Sequence, residues 1–211
     1  RHQEGRQAAT TVVENPLTEG LERLPVHPTT LVIFGGTGDL AKRKLLPAIY
    51  NLAHEGALPE RFNLIASSRS DNSHEAYGQI AEEAIRQFSR REPDADVLKE
   101  LLAHVKYVPG TFDDPKVYES LAKLLDEFDE EAGQPLNRAF YLSTAPEFFP
   151  VIVEQLGAAK LDSHEDAEVR CIIEKPFGTT LEEAKELNET VLGVFEESQV
   201  FRIDHYLGKE T

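Results

Sequence analysis

Between residues 29 and 203, short apolar runs rich in β-branched residues alternate with longer stretches whose apolar positions recur every three to four residues. The first run, 30–34, ends in Gly35-Gly36-Thr37-Gly38 and predicts a strand that feeds a tight turn. Asp39 then opens a helix with Leu40, Ala41, Leu45, Ile49, Leu52 and Ala53 largely on one face. Pro47 lies inside it and predicts a kink, because proline lacks a donor and costs up to about 3 kcal/mol in a helix interior. The same patterning predicts further strands at 62–68, 105–108, 139–143, 168–174 and 200–203. Helices are expected at 73–91, 94–103, 115–130, 146–156 and 181–195, the last opening on a capping box of Thr180 with Glu183. Six strands alternating with helices predict parallel strands joined by right-handed crossovers. That is an α/β, doubly wound, mostly parallel sheet with helices on both faces, a Rossmann-like fold.

Residues 1–28 are polar, carry Pro16, Pro25 and Pro28, and sustain no period, so they read as an N-terminal extension to a domain of residues 29–203. The formal net charge of −16 argues against general affinity for nucleic acid or anionic membrane, and an anionic ligand must find a local basic cluster. No run of about 18 apolar residues predicts a membrane span, and no signal-peptide pattern is present. The single cysteine, Cys171 in an apolar run, excludes an intrachain disulfide framework and fits the cytoplasm. The seven histidines lie far apart, and no spacing points to a metal. A chain without methionine that stops after a strand is expected to be a piece of a longer protein, with residues 204–211 opening a truncated second domain.

Gly36-Thr37-Gly38-Asp39-Leu40-Ala41 matches G-x-G-x-x-A between a strand and a helix. Glycines there let a pyrophosphate approach the backbone, and the helix N-terminus offers free donors. Alone the pattern also fits a plain connector; as the first turn of an alternating series it points to a dinucleotide. No Gly-Lys-Ser/Thr follows, which excludes a triphosphatase phosphate loop. The second strand ends Ser67-Ser68-Arg69-Ser70, without the acidic residue that an NAD ribose prefers. Arg69 fits the 2′-phosphate of NADP, the alternative being a solvated surface arginine. Lys42-Arg43-Lys44 by itself reads as a solvated helix face. Glu174-Lys175-Pro176-Phe177-Gly178 and Arg202 to Glu210 follow the fifth and sixth strands, so three basic segments meet at the ligand-binding edge of the sheet.

Gly35 to Leu45 with Pro47-Ala48-Ile49-Tyr50, Glu174 to Gly178, and Arg202 to Glu210 together resemble the signatures of the glucose-6-phosphate dehydrogenases over residues 30–211. Ala145 departs from that family's more frequent proline. The resemblance implies NADP-dependent oxidation of glucose 6-phosphate at C1 to 6-phosphogluconolactone, the oxidative step of the pentose phosphate route. Gly35, Gly36, Thr37, Gly38, Asp39 and Leu40 are implied to hold the pyrophosphate and Arg69 the 2′-phosphate. Lys175 is implied to be catalytic, bonding the reacting end of the sugar, and with a cis Pro176 to belong to the cofactor site as well, setting the sugar against the nicotinamide. Lys44 would stand at the junction of cofactor and substrate, and His205, Tyr206 and Lys209 would hold the sugar phosphate. A homodimer or homotetramer is implied, through the absent domain.

Oxidation at C1 needs a base for the hydroxyl proton. Asp204 and His205 are adjacent, and along a strand adjacent side chains face opposite ways, which argues against a dyad between them. The resemblance implies instead that Asp204 orients a histidine beyond residue 211. Losing a general base costs about 10² to 10⁴ in rate, so the chain alone is expected to bind NADP weakly without useful turnover. Two rivals stay open: a dehydrogenase of the glucose-fructose oxidoreductase type, which shares Glu-Lys-Pro, and a non-catalytic NADP-binding redox sensor. Short-chain dehydrogenases are set aside, because no tyrosine here has lysine four residues on.

Overall fold

The computed structural model describes residues 27–204. Strands β1 (Thr29–Phe34), β2 (Phe62–Ser68), β3 (Val105–Pro109), β4 (Asn137–Leu142), β5 (Val169–Glu174) and β6 (Val200–Ile203) form one sheet in the order β3-β2-β1-β4-β5-β6. Every pairing is parallel. The chain winds outward from β1 in one direction and then, from β4, in the other. That reversal opens a crevice at the carboxyl ends of β1 and β4.

Every residue of β1 and β2 is buried, which is why both read as unbroken runs instead of an alternation. Alternate side chains serve two cores. Leu31, Ile33, Ala139, Tyr141, Ile172 and Ile203 pack beneath α1 (Leu46–His54), α2 (His74–Phe88) and α3 (Ala95–Leu102). Val32, Phe34, Phe140, Leu142, Cys171 and Ile173 pack beneath α4 (Pro115–Ala132), α5 (Phe149–Ala158) and α6 (Leu181–Val194). No helix among the described residues is long and apolar enough to cross a membrane.

The strands fall within two residues of their expected bounds, and three local expectations change. Pro47 does not kink a regular helix: Ala41–Leu45 form a π-helical turn in which the Leu46 N–H reaches back to Ala41 O, and Pro47 falls in the first turn of α1. The missing N–H thus lies at a helix start, where its cost is small. The helix expected to reach residue 91 stops at Phe88, with Ser89 already extended. The capping box of α6 closes differently. Thr180 Oγ1 accepts from the Glu183 N–H at 3.1 Å, but the Glu183 carboxylate accepts from the N–H and hydroxyl of Thr179, at 2.6 and 3.0 Å, instead of from Thr180 N.

At the amino edge of the sheet, the Arg138 side chain is 5% exposed and lies 3.0 Å from Asp129 and 3.7 Å from the more exposed Asp126. Asp129 also accepts from the Leu136 N–H at 2.9 Å, tying the end of α4 to the start of β4. Removing one member of a buried pair typically costs about 3–5 kcal/mol. Asp129→Ala is therefore expected to lower unfolding stability by about 3 kcal/mol, Asp126 retaining part of the pairing; urea titration measures it.

Candidate functional site

The turn after β1 is built by the absence of side chains. Gly35 has φ +91°, and a Cβ there would lie 2.9 Å from Ser143 O. A Cβ on Gly36 would lie 2.5 Å from Ala66 Cβ and 3.0 Å from the Tyr77 hydroxyl oxygen. The Gly35 and Gly36 amides both donate to Ser67 O, at 2.8 and 3.2 Å, and the Gly38 amide donates to Gly35 O at 3.0 Å. Ser143 closes the other side, its N–H and its hydroxyl both donating to Phe34 O at 3.0 and 2.9 Å. Clamped between β2 and β4, the turn delivers Gly38 and Asp39 to the surface at the helix start. The amides of a first helical turn have no intrahelical acceptor, and the helix dipole adds a positive potential, so this point suits an anion.

Beside the turn, hydroxyls gather at the end of β2. Thr37 Oγ1 lies 2.8 Å from Ser68 Oγ, which lies 2.8 Å from the Tyr107 hydroxyl oxygen. That hydroxyl also reaches Ser70 O at 2.6 Å, holding the strand end on which the exposed Arg69 stands. Asn72 donates to Ser70 Oγ at 3.0 Å. The Tyr107 ring stacks on Tyr77 with centroids 5.0 Å apart, and the Tyr77 hydroxyl donates to Gly36 O at 2.9 Å. Burial pushes the Tyr77 phenol above its ordinary range, so it remains a donor.

At the other side of the crevice, Glu174 ends β5 and is 3% exposed. The Tyr141 hydroxyl on β4 donates to it at 2.5 Å. Burial pushes the Glu174 carboxyl up to about 7, with the Tyr141 hydrogen bond acting in the opposite direction. The Lys175 N–H donates to Ile203 O at 2.8 Å, and the Lys175–Pro176 peptide is cis. Lys175 Nζ stands 3.4 Å from Asp204 Oδ1, with both side chains largely exposed. The carboxyl edge thus carries an anion-friendly turn, a hydroxyl cluster with an arginine, and an exposed lysine paired with a carboxylate.

A model of the glucose-6-phosphate dehydrogenase NAD binding domain matches residues 32–211. The chain belongs to the glucose-6-phosphate dehydrogenase family. It is 46% identical over 204 residues to glucose-6-phosphate 1-dehydrogenase 2 of Mycobacterium tuberculosis (strain ATCC 25618 / H37Rv), covering 93% of this chain and 39% of that protein. With the glucose-6-phosphate 1-dehydrogenase of Leuconostoc mesenteroides it shares 36% over 182 residues, 86% of this chain and 37% of that one. A solved glucose-6-phosphate dehydrogenase in complex with its substrate glucose-6-phosphate aligns with TM-score 0.75 at 36% identity, over 87% of this chain and 38% of that one. The glucose-6-phosphate 1-dehydrogenase of Mycobacterium avium aligns with TM-score 0.74 at 32% identity, over 86% and 37%. The chain spans about two fifths of the length of these relatives.

Within this glucose-6-phosphate dehydrogenase domain, Gly35 to Leu40, Arg69, Lys175, Pro176 and Asp204 all follow the carboxyl ends of strands. Lys44 is half-buried in the π-helical turn that continues from the glycine loop, whereas its neighbour Arg43 turns away and stacks 5.0 Å over Phe88. His205, Tyr206 and Lys209 lie outside the described residues. Three residues that support the site were missed: Tyr77, Tyr107 and Tyr141. Each is a tyrosine in a buried strand or helix, where its hydroxyl must find a partner; that was the available signal.

Gly36→Ala should weaken binding of a nicotinamide dinucleotide by about five- to a hundredfold, since overpacking shifts the backbone at a cost of about 1–3 kcal/mol; fluorescence titration reads it. Glu174 gives a second expectation. Its folded-state carboxyl lies above its ordinary value, so its contribution to stability is complete below about 4.5 and is lost as pH rises through about 7. The stability of Glu174→Gln relative to the unsubstituted chain should therefore climb over that interval and level off above it, as followed by urea unfolding at several pH values.

Proposed function

We propose that residues 29–203 form the NADP-binding unit of an enzyme that oxidises glucose 6-phosphate at C1 to 6-phosphogluconolactone. The observation that carries this is the placement of Lys175, 3.4 Å from Asp204, on the same sheet edge as the glycine turn. The residues present fit the cofactor. A Cβ at Gly35 or Gly36 would collide with the neighbouring strands, and the close-packed turn presents Thr37, Gly38, Asp39 and Leu40 to a pyrophosphate. Arg69, beside the hydroxyls of Thr37, Ser68 and Ser70, suits a 2′-phosphate, which accepts several charge-assisted hydrogen bonds. When bound, NADP supplies the acceptor for the hydride from C1.

The chain's own groups then orient the sugar. Lys175 donates to the oxygen at the reacting carbon and Pro176 shapes the backbone beside it. Lys44 stands between cofactor and sugar, and His205, Tyr206 and Lys209 hold the phosphate. Asp204 orients the histidine that takes the C1 hydroxyl proton, a group we place in the longer protein. We also place that protein in the cytoplasm, as a homodimer or homotetramer.

The test is turnover by the longer protein. Glucose 6-phosphate with NADP should yield NADPH, while unphosphorylated glucose should react far more slowly; equal rates on the two sugars would favour a broader sugar dehydrogenase. Arg69→Asp should lower kcat/KM for NADP by about ten- to a hundredfold, the worth of one or two charge-assisted bonds, and spare NAD. An NADP preference unchanged by that substitution would remove Arg69 from the site.

A further inference from the structure

The pair formed by Tyr141 and Glu174 is not used by the chemistry above. A carboxylate that is 3% exposed at the end of a strand has been taken out of water at a cost that an apolar residue of similar volume avoids. Its partner Tyr141 is fully buried on the adjacent strand, on the face covered by α1 and α2. The two strands are in register, with Tyr141 opposite Ile172 and Leu142 opposite Ile173, so the phenol reaches diagonally along the sheet to the last residue of β5. Directly after that residue come Lys175 and Pro176.

We infer that Tyr141 and Glu174 are positioning residues for Lys175. The inference rests on the reading that Lys175 meets the reacting end of the sugar. The geometry explains how the effect would travel. Successive side chains of a strand leave opposite faces, so holding the Glu174 side chain fixes the rotation of the strand end from which Lys175 departs. The Lys175 N–H bond to Ile203 O holds the same peptide from the β6 side. Between them the two anchors leave the Lys175 side chain as the moving part, with Asp204 Oδ1 3.4 Å from its ammonium. Glu174 acts here as a hydrogen-bond acceptor, a role that an amide oxygen can fill.

The experiment uses the longer protein with Tyr141→Phe, Glu174→Leu and Glu174→Gln. Four quantities are measured: thermal midpoint, NADP affinity, kcat and KM for glucose 6-phosphate, and the rate at which Lys175 is labelled by an amine-acylating reagent, read by mass spectrometry. Misplacement of a reacting group by about 1 Å can cost about a hundredfold, so Tyr141→Phe and Glu174→Leu should lower kcat by about tenfold or more. NADP affinity, which the glycine turn and Arg69 beyond β4 chiefly supply on the proposed reading, should fall less than kcat in both. Glu174→Gln keeps the acceptor and should retain most of kcat. The labelling rate of Lys175 should change by about threefold or more in the first two variants and hold in the third.

A lowered thermal midpoint with normal kcat per folded molecule would show the pair to be merely structural and overturn the inference. So would Glu174→Gln as impaired as Glu174→Leu, or a labelling rate that none of the variants moves. The labelling comparison needs no turnover. If the unsubstituted protein does not oxidise glucose 6-phosphate, the proposed function fails while the positioning claim is still decided by Lys175 reactivity.

Discussion

Gly36 meets Ala66 with no room for a side chain between them, and the architecture of the cofactor edge follows from that contact. Because β1 can close on β2, Ser67 O accepts two successive turn amides, and Phe34 O accepts twice from Ser143 on the other side. The turn is thereby held by both neighbouring strands, and the helix that follows starts at a fixed point above the switch of strand order. A methyl group at position 36 would push against the Ala66 Cβ, which cannot move without its strand, itself buried on both faces. Close-packed interiors transmit such a push instead of absorbing it.

The strand-helix alternation was legible because parallel strands buried on both faces leave continuous β-branched runs, as at 29–34 and 62–68, and amphipathic helices leave a period between them. The glycine turn was legible for a related reason: the need for positive φ and close approach restricts the residue type itself. Pro47 shows where local rules stop. A proline at the sixth position after Ala41 reads as a break, but a helix can widen by one residue and place the proline at a new start. The tyrosines are a harder case. Nothing in the local sequence of Tyr107 says that its hydroxyl holds the Ser68-to-Ser70 backbone, because that contact spans 37 to 39 residues and exists only once β2 and β3 are paired.

The charge balance looks contradictory for a domain proposed to take phosphorylated ligands, since the chain carries −16 overall. Screening resolves it. At physiological ionic strength exposed charges act over about 8 Å, so acidic groups near the carboxyl-terminal ends of the helices, such as Glu130 and Glu131 of α4, which return to the opposite edge of the sheet, contribute little at the carboxyl edge. On the proposed reading, what a phosphate meets there is set by Arg69, Lys175, Lys44 and the backbone amides of the first turn. The acidic surface disfavours indiscriminate binding of polyanions, and the few cations at the edge act where the strands deliver them. Arg43 illustrates the economy of the arrangement: of three consecutive cations it is committed to the ring of Phe88, so the basic run is not one undivided patch.

Buried polar pairs mark both ends of the sheet, and their different characters follow from their positions. At the amino edge, Arg138 and Asp129 are oppositely charged and satisfy a helix end and a strand start, a task that requires strength and little else. At the carboxyl edge, Tyr141 and Glu174 join a neutral donor to a carboxyl pushed up to about 7, which near neutrality resists burial as an ion. Such a pair is a poor way to add stability. It is a good way to fix direction, because a hydrogen bond from a phenol whose ring is packed in the core constrains the carboxyl directionally, which apolar packing does not. Lys175, as the next residue, inherits that constraint through the peptide it shares with Glu174. The desolvation of one carboxyl thus makes physical sense as the cost of aiming its neighbour.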